Sequence, residues 1–207
     1  MDLWQYEKEA AAEGYAAVCG CDEAGAGPLA GPVYAAAVIL PLGEDIPGLD
    51  DSKKLTEKRR EALFPVIQER ALAWSAAFVS AEEIDKTDIL SARMRAMQLA
   101  IDGLSRKPDF ALIDGNRDHG RSAAITTSHR CIIKGDSLSA SVAAASVLAK
   151  VSRDRFMRGM AAKYPEYRFD RHKGYGTKLH YALLREYGPC PIHRRTLLKG
   201  MAPRAAA

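Results

Sequence analysis

Two kinds of apolar pattern alternate along this chain. Dense apolar runs of strand length fall at 16–22, 33–40, 72–80, 110–116 and 129–134. Between and after them lie longer stretches with helical periodicity or helix-prone composition, at 2–13, 56–70, 89–104, 137–158 and 178–187. Strands interleaved with helices predict an α/β fold. The first two runs flank a Gly-rich segment and read as a hairpin. The fourth, Phe110-Ala111-Leu112-Ile113, is continuously apolar, the mark of a central strand covered on both faces. Helix 137–158 carries the small face Val142, Ala145, Ser146 and Ala149, which predicts close packing on the sheet. Gly14 is a helix stop, and Thr56, Ser80 and Thr177 are N-caps.

Polar residues become informative at the strand ends. The first strand runs into Asp22-Glu23 and then the loop Gly25-Ala26-Gly27. The fourth ends in Asp114-Gly115, and the fifth is followed at once by Asp136. An Asp-Glu pair alone would be ordinary turn surface. Acids at three separate strand exits, where α/β proteins assemble their sites, describe a cluster. Four carboxylates without a His or Cys set suit a hard cation, Mg²⁺ or Mn²⁺. Two such ions about 4 Å apart activate water and stabilise a leaving oxygen in phosphodiester hydrolysis. One geometric condition applies. Neighbouring strand residues face opposite ways, so Asp22 and Glu23 share a cation only if the strand ends or bulges there. Asp154 is a further acid, but a continuous helix would carry it roughly 25 Å from Asp136 at about 1.5 Å per residue. It is expected to pair locally with Arg or Lys.

Charge adds a direction. The net charge is +4, yet residues 150–207 carry +10 and the remainder −6. A basic C-terminal quarter suits a polyanion as well as it suits solvated helices. Lys53 and Lys54 precede the helix capped by Thr56, where a phosphate would meet side-chain charge and a helix N-terminus; plain solvation is their other reading. The segment 168–177 interleaves basic and aromatic residues and includes Tyr175. Cysteines 19, 21, 131 and 190 form no zinc set and are expected as buried thiols in a reducing cytoplasm. No apolar run is long enough to span a bilayer and no signal peptide is evident, so a cytoplasmic protein is expected. The tail 201–207 is expected to fray.

These residues carry a family resemblance. The run from Cys21 to Val33, Cys-Asp-Glu-Ala-Gly-Ala-Gly-Pro-Leu-Ala-Gly-Pro-Val, resembles the opening motif of bacterial ribonuclease HII. Later motifs follow in order: Asp51-Ser52-Lys53-Lys54-Leu55, Ile113-Asp114-Gly115-Asn116, Lys134-Gly135-Asp136, the Ala-rich helix from Ala143 to Val151, His172-Lys173-Gly174-Tyr175-Gly176-Thr177, and Gly188-Pro189-Cys190-Pro191-Ile192-His193-Arg194. The resemblance implies a ribonuclease H-like fold: a mixed five-stranded sheet flanked by helices, a catalytic domain over 1–158 and a small basic helical extension over 159–207. It implies an enzyme that cleaves RNA in RNA–DNA hybrids and nicks duplex DNA 5′ to a single ribonucleotide, leaving 3′-hydroxyl and 5′-phosphate ends; a monomer is the default expectation. It places the catalytic, cation-binding acids on Asp22, Glu23, Asp114 and Asp136. Substrate contacts fall on Gly25, Ala26, Gly27, Lys53, Lys54 and the junction-sensing Tyr175. Ala26 departs from the family's usual arginine, in a loop that reads the ribose 2′-hydroxyl. The alternatives are a related carboxylate-metal DNA nuclease and an inactive hybrid binder.

Overall fold

The computed structural model describes residues 2–115, 120 and 124–199. Five strands form one mixed sheet in the order β3-β2-β1-β4-β5. They are β1 (Val18–Ala24), β2 (Val33–Ile39), β3 (Ala73–Val79), β4 (Phe110–Asp114) and β5 (His129–Ile132). β1 and β2 are the expected antiparallel hairpin, β3 continues the antiparallel side, and β4 and β5 join in parallel. Asn116, placed at the end of the fourth strand from sequence, and the tail 201–207 lie outside the described residues.

Seven α-helices frame the sheet among the described residues: α1 (Gln5–Ala12), α2 (Glu57–Arg70), α3 (Ala81–Lys86), α4 (Ile89–Asp102), α5 (Ala140–Lys163), α6 (Phe169–His172) and α7 (Lys178–Tyr187). Their starts follow side-chain chemistry. Thr56 accepts from the Arg59 amide, and Ser80 with Glu83 forms a full capping box. Thr177 caps α7. The fifth helix begins later than its pattern predicts. Residues 135–137 form a 3₁₀ turn, and Ser139 caps α5. The helix then runs unbroken through residue 158 to Lys163.

Period-two alternation along β1 divides the core. Cys19 and Cys21 face a cluster built largely from α4, with Met94, Met97 and Ile101. Gly20, Asp22 and Ala24 face α5, and a Cβ on Gly20 would lie 2.1 Å from the Ser141 carbonyl carbon. Glycine is therefore what lets α5 rest on the strand that carries Asp22. Buried Ala144, Ala145, Leu148 and Ala149 complete this contact.

A separate cluster joins the far end of α5 to the C-terminal segment and the loop after β1. It contains Met157, Tyr167, Phe169 and Leu184 together with Leu29 and Ala30. Phe169 is fully buried here, so one aromatic of the 168–177 segment is core. Cys19, Cys21 and Cys190 are buried as expected. Cys131 is exposed instead, on the edge strand β5.

Candidate active site

β1 and β4 are parallel neighbours with Cys21 opposite Ile113, so Asp22 and Asp114 come next in register on the same face. Asp136 reaches them from the 3₁₀ turn between β5 and α5. One carboxylate oxygen from each of the three lies within 4.8 Å of the others. Local backbone fixes the group. The Glu23 amide donates to Asp22 Oδ1 at 2.6 Å, and the Asp136 amide to Asp114 Oδ1 at 3.4 Å.

Burial and crowded negative charge hold back the ionisation of Asp22 and Asp114. Burial, then the charges of Glu23 and Asp114, hold the Asp22 carboxyl well above the usual range. Burial and the charges of Asp136 and Glu23 push Asp114 up to about 6. Lys53 answers this charge, with Nζ 2.7 Å from Asp136 Oδ2. Burial alone would lower its pKa, but the Asp136 hydrogen bond and the nearby Asp22 charge carry it upward.

Glu23 does not stand with the other three. β1 stays regular through the Ala24–Tyr34 pair, so the bulge that would bring Asp22 and Glu23 onto one face is absent. Glu23 faces α4, where its Oε1 lies 2.7 Å from Arg93 Nη2. Its Oε2 is buried and has no hydrogen-bond partner among the described residues. Lys54 likewise turns aside and pairs with Asp50 at 3.0 Å. Asp154 pairs with Lys150 at 2.8 Å and lies 3.8 Å from Arg60, in keeping with a local structural role. Arg60 in turn donates to the Ser52 and Leu55 carbonyls, and the Ser52 amide donates to Ser146 Oγ. The loop presenting Lys53 is thus fastened to α2 and α5.

Gly25, Ala26 and Gly27 lead out of β1 beside the acids. Gly25 has φ 98°, and a Cβ there would lie 2.0 Å from Arg153 Nε. Tyr175 is 40% exposed, with the Arg153 guanidinium 5.6 Å and Lys150 Nζ 5.7 Å from its ring centre. Four arginines, 60, 93, 153 and 194, shape this region, and residue-type patterns alone did not single them out. Only Arg194 stood inside a recognisable motif.

The family model described as Ribonuclease HII matches residues 19–199. The chain belongs to the ribonuclease HII family. It is similar to Ribonuclease HII of Caldicellulosiruptor bescii, 48% identical over 200 residues that cover 97% of this chain and 95% of the relative. To that of Bordetella avium it is 54% identical over 179 residues, covering 86% and 87%. Among solved structures it resembles ribonuclease H2 from Pyrococcus horikoshii OT3, at TM-score 0.73 and 27% identity, covering 87% of this chain and 93% of that one. The ribonuclease H-like fold is therefore established, and the family's activity is hydrolysis of RNA in RNA–DNA hybrids. The family is metal-dependent. The residues here fit such a group: an all-oxygen donor set in which burial and neighbouring charge raise Asp22 and Asp114, and a buried Glu23 carboxylate oxygen with no hydrogen-bond partner among the described residues.

Proposed function

We propose that this chain is an endonuclease that, besides cleaving RNA in hybrids, nicks duplex DNA 5′ to a single embedded ribonucleotide, leaving 3′-hydroxyl and 5′-phosphate ends. The observation that carries this is the convergence of Asp22, Asp114 and Asp136 from two adjacent strand ends and one turn. In this reading they hold Mg²⁺ or Mn²⁺, with Glu23 as the fourth acid: Arg93 holds one of its oxygens, and the other is left for a cation. Divalent cations held by these acids would supply Lewis acidity for the attacking water and for the leaving 3′-oxygen.

The chain's own groups do the rest. The four acids fix where the scissile phosphate sits. Lys53 leaves Asp136 for a backbone phosphate, and Lys54 lends charge to the same strand. Tyr175, backed by two cations, presents a face to a sugar or base. The Gly25-Ala26-Gly27 loop lies against the ribose. This reading takes the protein as a cytoplasmic monomer. Among the described residues no helix is long and apolar enough to cross a membrane.

The test uses a labelled DNA duplex with one ribonucleotide, an all-DNA copy and a long RNA–DNA hybrid, with and without Mg²⁺ or Mn²⁺. Metal-dependent nicking 5′ to the ribonucleotide, with the all-DNA duplex intact, is expected. Cleavage of the all-DNA duplex would place the chain with DNA nucleases. Binding without any cleavage would make it a hybrid binder.

A further inference from the structure

We infer that Arg194, brought in by the last described segment, is a positioning residue that presets the backbone amides of Ala26 and Gly27 as outward-facing donors for an acceptor oxygen of the substrate's ribose. The inference rests on the substrate reading above. Arg194 is fully buried, and among the described residues no carboxylate is in ion-pair contact with it; Asp85 acts on it only through space. Its Nη2 donates to the Gly25 carbonyl at 2.6 Å, Nη1 to the Ala26 carbonyl at 2.8 Å and Nε to the Gly31 carbonyl at 3.0 Å. A planar guanidinium with a fixed fork of donors sets the direction of all three carbonyls at once.

That direction has a consequence across each peptide plane. The peptides are trans, so the carbonyl of one residue and the amide of the next point opposite ways. With the Gly25 and Ala26 carbonyls turned toward Arg194, the Ala26 and Gly27 amides are turned away from it. Neither amide donates to a protein group among the described residues. Ala26 is half-buried, Gly27 is exposed, and the next residue, Pro28, has no N–H. Two adjacent unpaired donors at the rim of an acidic site suit a hydroxyl or phosphate oxygen.

The C-terminal segment is locked to the loop in register. The Arg194 amide donates to the Leu29 carbonyl at 2.9 Å, and the Gly31 amide to the Ile192 carbonyl at 2.8 Å. Arg153, also fully buried, holds the far side through the Pro32 and Ala30 carbonyls, each at 3.1 Å. Because the side chain of Ala26 offers no donor, this loop's reading of the ribose falls to its main chain. Arg194 sets that main chain without touching the substrate.

The test compares wild type with Arg194→Lys, which keeps the charge but not the fork. With the metal-loaded enzyme, KM is measured on the single-ribonucleotide duplex, and the all-DNA duplex is titrated as a competitive inhibitor. KM should rise about tenfold, the loss of one to two hydrogen bonds, while the inhibition constant of the all-DNA duplex stays put. In ¹⁵N-labelled wild type, the Ala26 and Gly27 amide signals should shift with the ribonucleotide duplex and not with its all-DNA copy. A KM and inhibition constant that move together, or that both stay unchanged, would overturn the inference; so would unmoved amides, even if Arg194→Lys fails to fold. A wild-type enzyme that shows no preference for the ribonucleotide would instead sink the substrate reading on which the inference rests.

Discussion

Arg93 Nη2 lies 2.7 Å from Glu23 Oε1 on the face of β1 opposite Asp22, so adjacent acids in the sequence are held in different environments. Arg93 pairs with a mostly buried carboxylate whose charge raises the pKa of both Asp22 and Asp114. Arg93→Met should therefore destabilise the metal-free protein by about 3 kcal/mol, the cost of orphaning one member of a buried pair. Saturating Mn²⁺ should recover part of that loss, because the cation takes over the neutralisation. Urea unfolding with and without Mn²⁺ measures it; an equal loss in both conditions would contradict the Glu23 assignment.

Asp114 illustrates a site built against stability. Its pKa is raised to about 6 in the folded protein against 3.8 for the free group. The folded state thus holds the proton more tightly than the unfolded chain, and stability falls as pH rises from about 4 to 6. Asp114→Asn removes this penalty. The metal-free variant should be more stable than wild type at pH 7.5 by about 1–2 kcal/mol after solvent screening, and the gain should fade below pH 5. Cleavage should be lost at the same time. Thermal unfolding across pH checks the first part; a variant less stable than wild type at pH 7.5 would contradict it.

Much of this arrangement was legible in the sequence, and the reasons are particular. The strands showed because the apolar runs at Val33–Ile39 and Phe110–Asp114 are covered on both faces. Helix starts showed because Thr56, Ser80 and Thr177 each make a local bond that needs no tertiary information. Asp22, Asp114 and Asp136 showed because each lies in or just after the last residues of an apolar run, although β1 continues two residues past Asp22 and Asp136 stands in a turn after β5. The separation of Glu23 from Asp22 was implicit in the period of the strand, but its partner on α4 is distant in sequence and left no signal. Arg153 and Arg194 were hidden for a different reason. In a basic segment, a buried arginine that donates to carbonyls has the same letter and charge as a solvated one.

The C-terminal segment carries its own pH response. His180 Nε2 and His193 Nε2 are 3.0 Å apart and buried. Burial, together with the neighbouring histidine, lowers each to about 4: His172 acts on His180, and His180 on His193. The unfolded chain, with histidines near 6.5, binds protons that the folded segment refuses, so stability is lost as pH falls from about 6.5 to 4. His193→Gln should flatten that slope over the same window. A slope equal to wild type would contradict the assignment.

Ala26 is half-buried and stands next to the acids without a charged side chain. Ala26→Arg should add a charge-assisted phosphate contact and lower KM on the single-ribonucleotide duplex several-fold, in keeping with about 1 kcal/mol. Steady-state kinetics at two salt concentrations check this, with the gain larger at low salt. An unchanged or higher KM would mean that another residue already fills that role.

The central claim is that Asp22, Asp114 and Asp136 hold the catalytic cation, and Mn²⁺ binding by isothermal titration calorimetry at pH 7.5 tests it most directly. The account predicts saturable binding to the wild-type protein that Asp22→Asn and Asp114→Asn each abolish while the fold is retained. Undiminished Mn²⁺ binding by both variants would contradict it.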